Sequence, residues 1–164
     1  MLHLAHRYGL RATVVRAFNI IGAGVPAGLV AGALIRRIRE ALQNGNSTVR
    51  LGNLHPERDF IAVDDVVDGY VRLMQVDLWG EIFNFCSGEG RSIQELAQRI
   101  LAMAPRSLQI EIDPALVRPA DPPRVIGCSR KAQAAFGFSC RRDWVQAIQS
   151  AWQYAMKEDA RCVS

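Results

Sequence analysis

Apolar residues recur along this chain at two periods, about 3.6 and 2, and the way these alternate predicts a mixed α/β protein. Met1 to Tyr8 places Leu2, Ala5 and Tyr8 on one helical face and stops at Gly9. Ala12 to Phe18 reads as a short strand, apolar enough for burial on both faces as in a parallel sheet. A glycine-rich loop from Asn19 to Gly28 precedes a helix from about Leu29 to Asn44, which Gly45 ends. Thr48 to Leu51 is a second strand and Gly52 to Glu57 a turn. Asp64 and Asp65 open a helix at the end where negative charge suits the macrodipole, with Val66, Val67, Tyr70, Val71, Leu73 and Met74 predicted on its apolar side.

Glu81 to Phe85 is a third strand. Ser92-Ile93-Gln94-Glu95 is a capping box: the Ser92 hydroxyl can accept from the Glu95 N–H while the Glu95 carboxylate reaches back. The helix it opens runs to about Met103, and Ser107 to Ile112 follows as a strand. After a proline-rich loop through Pro123 come two helices. Ser129 to Phe136 is stopped by Gly137, and Trp144 to about Lys157 carries Trp144, Ile148, Trp152 and Ala155 on one side. The tail 158–164 is expected to fray.

Composition narrows the functional classes. With 164 residues and half of them hydrophobic, the chain is large enough for one domain with its own core. No apolar run reaches the roughly 18 residues of a membrane span, and no export signal opens the sequence, so a cytoplasmic protein without membrane association is expected. Cys86, Cys128, Cys140 and Cys162 lack metal-binding spacing and are expected as free thiols. His3 and His6, three residues apart, have no third ligand near them and are read as a solvated face; no metal is expected. The net charge is only +4, but nearly all of the basic residues are arginine, whose fork matches phosphate. The arginines are spread along the chain rather than gathered, which argues against nucleic acid.

The candidate chemistry lies in three segments. Arg16-Ala17-Phe18-Asn19 ends a strand, where ligands sit in open parallel sheets, so Asn19 either contacts a ligand or caps the turn. Leu51-Gly52-Asn53 is followed by Arg58-Asp59-Phe60; Arg58 either meets a diphosphate or pairs with Asp59 at the surface. Arg118-Pro119-Ala120-Asp121 holds another arginine in a loop stiffened by proline.

In this order these segments resemble the substrate side of the extended short-chain dehydrogenase/reductases, the NAD-dependent epimerase/dehydratase family, in its GDP-mannose 4,6-dehydratase and 4-keto-6-deoxy-mannose reductase branches. Ile20, Gly24 and Val25 stand where the dehydratases carry cofactor-contacting residues, so the reductase branch is the nearer likeness. Ile126-Gly127-Cys128-Ser129-Arg130-Lys131-Ala132 and Phe136-Gly137-Phe138 resemble later family stretches, with Cys128 in place of Asp and Phe138 in place of Trp.

The resemblance implies a substrate site at Asn19, Leu29, Val30, Arg36, Leu51, Asn53, Arg58 and Arg118. Leu29 and Val30 would pack on the base or ribose, and Arg36, Arg58 and Arg118 would approach the phosphates. Arg37 and Arg39 are read as solvated. Neither the glycine-rich dinucleotide turn nor a Tyr-x-x-x-Lys pair is present. The resemblance therefore implies a truncated C-terminal part: an α/β nucleotide-sugar-binding domain with two strands and a helix left from an incomplete Rossmann-type sheet. Residues 12–18 and 64–87 would be the Rossmann-derived remnants, and 19–63 and 88–157 the substrate-binding part, in one domain. The expected function is binding of a GDP-mannose-like nucleotide sugar, with no catalytic residue, no NAD(P) bound by this chain alone and no activity in isolation. Alternatives are an oligomeric interaction protein with a vestigial pocket, or one chain of a split enzyme completed by a cofactor-binding chain. Apolar strands without a cover imply a homodimer.

Overall fold

A computed structural model describes residues 2–117 and 120–162, without the side chains of Leu2 and residues 158–162. The described residues form six helices and eight strands. They are α1 (Leu2–Arg7), β1 (Val14–Ala17), β2 (Asn19–Ile21), α2 (Val30–Gln43), β3 (Thr48–Leu51), β4 (Glu57–Ala62), α3 (Val63–Leu73), β5 (Ile82–Phe85), β6 (Gly90–Ser92), α4 (Ile93–Leu101), β7 (Gln109–Ile112), β8 (Arg124–Val125), α5 (Arg130–Phe136) and α6 (Trp144–Cys162). The expected fold class, two strands and a helix left over from a sheet, is thereby corrected. Every strand found here is paired, and the helices close over the sheets on two separate cores.

β4 is the hub. Its second half pairs in parallel with β2, Asn19 opposite Phe60, while its first half takes β6 antiparallel and β8 parallel, with Arg58 opposite both Arg91 and Val125. β1 pairs with β5, and β3 with β7, both parallel. Only Phe18 separates β1 from β2, so the chain leaves one sheet for another at the residue before Asn19. Three of the four strands missed by the sequence reading, β2, β6 and β8, have two or three residues, too few to display a period of two. β4 was hidden because its charged opening, Glu57-Arg58-Asp59, reads as the end of a turn.

The larger core joins α2, α4 and α6 to β3 through side chains such as Ile38, Leu51, Leu96, Ile100 and Ile148. α6 buries Ile148, Trp152 and Ala155 of its expected face, and its half-buried Trp144 stacks on Phe60 with centroids 6.0 Å apart. The smaller core is aromatic, built from Phe83, Phe85 and Phe138 with α3 and α5. Here α3 departs from expectation. It buries Asp65, Val66 and Gly69, leaving Val67, Tyr70, Val71 and Met74 exposed, because only glycine leaves room for the Phe85 and Phe138 rings.

Ser92 caps α4 as its spacing required, accepting from the Glu95 N–H at 3.0 Å, but the Glu95 carboxylate turns to Arg99 instead of back along the box. Gly9 and Gly137 end α1 and α5 with φ of 65° and 71°. α6 continues through residue 158 to Cys162, past the point where fraying was expected. Among the described residues, no helix is long and apolar enough to cross a membrane.

Candidate functional site

A cleft of about 340 Å³ opens where β2, the start of α2, the end of β3 and the first half of β4 converge. Asn19, Leu29, Val30, Leu51, Asn53 and Arg58 all line it. Six of the eight candidate side chains thus come from four elements and share one wall. Arg118 lies outside the described residues, although Leu116 and Asp121 on either side of it border the cleft.

Arg36 is the exception. It points away from the cleft into the groove between the Gly24 loop and α6, and pairs with Glu40 at 2.7 Å. Arg37, read as a solvated residue, lines the cleft and donates to the Arg50 carbonyl at 3.3 Å. The helical phase could have revealed this: Val30, Ala33, Leu34 and Arg37 lie at i, i+3, i+4 and i+7, a single stripe. The sequence reading also left out Leu54, Ile93, Leu116 and Asp121 as lining residues, although Asp121 closes the Arg118 segment and Ile93 lies in the capping box.

Arg58 is the buried cation of the cleft, its side chain only 12% exposed. Nη1 donates to the neighbouring Glu57 carbonyl at 2.8 Å and Nη2 to the Asp121 carboxylate, so the guanidinium is held in one plane with donors to spare. The alternative partner, Asp59, faces the other side of the strand and is fully buried. One of its oxygens accepts from the Ser87 N–H (2.8 Å) and hydroxyl (2.7 Å), the other from the N–H groups of Gly88 (2.9 Å) and Gly127 (3.1 Å). It ties β4 to the loops after β5 and β8, and so positions Arg58 from behind.

Asn19 donates one amide N–H to the Asp59 carbonyl at 2.8 Å, which leaves its other N–H and the side-chain oxygen for other contacts. Asn53 uses its side-chain oxygen for a turn to the His55 N–H at 3.0 Å, and so keeps its amide donors. Gly52 permits a tight crossing, since a Cβ there would lie 2.5 Å from the Leu116 carbonyl. The helix α2 begins at Leu29 with no side-chain cap, so N–H groups of its first turn stay without an intrahelical partner beside the cleft. Apolar walls, two arginines and a helix start form a place for a ligand with a flat apolar group and an anionic one.

A second buried carboxylate, Asp65 at the start of α3, accepts from the N–H groups of Arg141 and Arg142, at 3.2 Å each, and from the Arg142 guanidinium at 2.9 Å. Its hydrogen bonds go to the α5–α6 connection, which makes it a brace for the smaller core.

Comparison with known proteins places this architecture. Residues 1–86 match the NAD dependent epimerase/dehydratase family. The chain is 32% identical to GDP-6-deoxy-D-mannose reductase of Pseudomonas aeruginosa over 92% of its own length and 51% of the relative's. It is 31% identical to GDP-6-deoxy-D-talose 4-dehydrogenase of Aggregatibacter actinomycetemcomitans, over 90% of this chain and 50% of that one. The structure of RMD from Pseudomonas aeruginosa complexed with NADPH superposes with a TM-score of 0.83 at 28% identity, covering 96% of this chain and 52% of the other. The chain spans about half the length of the curated relatives it matches.

These findings correct three expectations. The likeness is not confined to two strands and a helix left from a sheet, since it runs through 96% of this chain and covers 52% of the relative's. The expectations of a truncated, vestigial or split chain accordingly give way to a family likeness along nearly the whole of this sequence. Against the expected lack of a cofactor stands the Pseudomonas aeruginosa structure of this fold, which was solved with NADPH. By the match of its first half and by its identity to these relatives, the chain belongs to the NAD dependent epimerase/dehydratase family.

Proposed function

We propose that the cleft binds a nucleoside-diphosphate sugar, with a GDP-linked deoxy-sugar as the class, in an NAD(P)-dependent oxidoreduction or epimerisation at the sugar. The observation that carries this is Arg58, a buried guanidinium on a cleft wall beside the uncapped start of α2. A diphosphate suits both groups: the fork matches its oxygens, and the free N–H groups of the helix favour its charge. Leu29, Val30 and Leu51 offer an apolar wall to the base or ribose, and Asn19 and Asn53 offer one acceptor and donors. Arg37 takes the second cationic role. Two of the relatives are named for GDP-linked deoxy-sugars, which favours that nucleotide.

For the nicotinamide cofactor, the fit is to one end of the molecule. β2 ends at Ile21 and runs into Gly22-Ala23-Gly24-Val25, which carries no charged side chain and follows the carboxyl end of a strand, where a flat ring can sit in open parallel sheets. When bound, the cofactor supplies hydride exchange with a sugar carbon. This chain's residues hold and orient the sugar nucleotide beside it, and none of them is assigned the proton transfer. A cytoplasmic setting accords with free thiols at Cys86, Cys128 and Cys140.

Arg58→Ala should weaken binding of GDP-mannose in calorimetry by about 1.5 to 3 kcal/mol, or roughly ten- to a hundredfold. Equal binding by the wild type and the variant, or no binding by either, would sink the assignment. A homodimer is also proposed, supported by the exposed Val67, Tyr70, Val71 and Met74 of α3. Light scattering at micromolar concentration should give twice the chain mass, and a stable monomer would rule the dimer out.

A further inference from the structure

Strand β7 is the outer member of the pair β3–β7, and among the described residues no strand lies on its other side. The parallel ladder fixes which of its backbone groups are free. The Gln109 N–H donates to the Ser47 carbonyl at 2.9 Å and the Asp113 N–H to the Leu51 carbonyl at 2.8 Å, with Gln109 opposite Thr48 and Glu111 opposite Arg50. Alternate residues of an edge strand bond to their one neighbour, so Gln109, Glu111 and Asp113 turn their N–H and C=O groups to β3. Leu108, Ile110 and Ile112 turn theirs outward, a row of the kind that templates another strand.

The side chains divide in the same way. Leu108 is buried in the larger core and Ile110 packs against it, but Ile112 on the same face is 51% exposed. With Leu54 and Val117, Ile110 and Ile112 border an apolar groove of about 370 Å³ beside the edge. Gln109 and Glu111 lie on the opposite, exposed face, where Arg50 Nε is 3.6 Å from the Glu111 carboxylate. Outward hydrogen-bonding capacity and apolar side chains therefore belong to the same three residues.

We propose that a second copy of this chain pairs antiparallel along β7, about a two-fold axis through Ile110, to give a continuous four-stranded sheet β3–β7–β7–β3. In an antiparallel pair, opposed residues that exchange both bonds must both face outward. This register meets that condition at every outward residue: Ile110 stands opposite its own copy, and Leu108 opposite Ile112 of the second copy, in both directions. On the core face the opposed side chains are apolar, and on the other face the Gln109 amide meets the Glu111 carboxylate of the second copy. A register centred on Glu111 sets two carboxylates against each other and Leu108 opposite Pro114, which has no N–H to give. One centred on Gln109 sets Ile112 opposite Arg106, which is committed to the carbonyls of Ala41 and Leu42 at the end of α2. The two-fold contact closes on itself, so it joins two copies and stops. A four-residue edge falls short of the roughly 1,200 Å² of a standard interface, so the contact adds to association above micromolar concentration. It shares no residue with the α3 face and does not depend on what the cleft binds.

Sedimentation of the full chain from micromolar to millimolar concentration tests it. The average mass should double over the series, whatever its value at the start; failure of the α3 dimer would lower the starting mass and leave the doubling intact. Ile112→Pro should abolish the doubling with the circular dichroism unchanged. The side chain there is half exposed and the N–H is turned away from β3, so proline removes an outward donor and spares the ladder. Hydrogen exchange on the wild type gives a reading that needs no variant. Protection should grow with concentration at Ile110 and Ile112, while Glu111, bonded to β3, stays protected throughout. A mass that does not double, doubling that survives in Ile112→Pro, or exchange at Ile110 that ignores concentration overturns the proposal. Tighter association of Glu111→Gln also overturns it, since that marks the register centred on Glu111.

Discussion

Asp59→Ala should lower the stability of the fold by about 3 to 5 kcal/mol, measured as a shift in urea unfolding. The carboxylate is fully buried, and every hydrogen bond it accepts comes from a group that otherwise has to lose water. Removing it leaves the N–H groups of Ser87, Gly88 and Gly127 without their carboxylate partner at a half-buried junction, each costing about 1 to 3 kcal/mol less whatever water enters the space. Asn is no remedy. Both carboxylate oxygens accept from backbone N–H groups, so an amide in either orientation sets an NH₂ against at least one donor. Since Arg58 is the preceding residue of the same strand, ligand affinity should fall along with stability. An Asp59→Ala protein that unfolds like the wild type would show that the loops after β5 and β8 are held by other means.

Phe85→Ala should cost a similar amount, about 3 to 5 kcal/mol, through the cavity it leaves. Phe85 has no exposed surface, stacks on Phe138 with centroids 4.3 Å apart, and is flanked by Tyr70 and Phe136. Neighbouring rings cannot collapse freely into the space, because α3 already approaches as closely as Gly69 allows: a Cβ there would lie 2.5 Å from the Phe85 ring. Gly69→Ala in the wild type should therefore destabilise by overpacking, and the same change in the Phe85→Ala background should restore part of the loss. If the two changes simply add in chemical denaturation, the close approach of α3 to the ring has no energetic weight.

The helices were legible because a 3.6-residue period over nine or more positions is a strong local signal: α2, α4 and α6 bury the sides that their patterns indicate. The strands β1, β3, β5 and β7 were legible as apolar or alternating runs. Those that make β4 a hub were not, since β2, β6 and β8 are too short to show a period and exist only because β4 offers them hydrogen bonds. The ligand residues divide along the same line. Arg58 stood out for its chemistry, but its partner Asp121 lies 63 residues on, and only the tertiary contact separates that pair from the sequence neighbour Asp59.

Local chemistry in the sequence determined the glycine helix stops at Gly9, Gly45 and Gly137, the Ser92 cap, the excess of arginine suited to phosphate, and the motifs around Asn19, Leu51 and Arg58. These depend on residues a few positions apart, whose interactions survive in any fold that keeps the element. Tertiary structure alone decided that Arg37 and not Arg36 faces the cleft, that Asp59 turns inward to clamp two loops, and that Cys86 lies against Gly127. Each of these is a question of which face of an element is buried and against what. That depends on packing between segments 30 to 80 residues apart, whose free energy no short stretch of sequence contains.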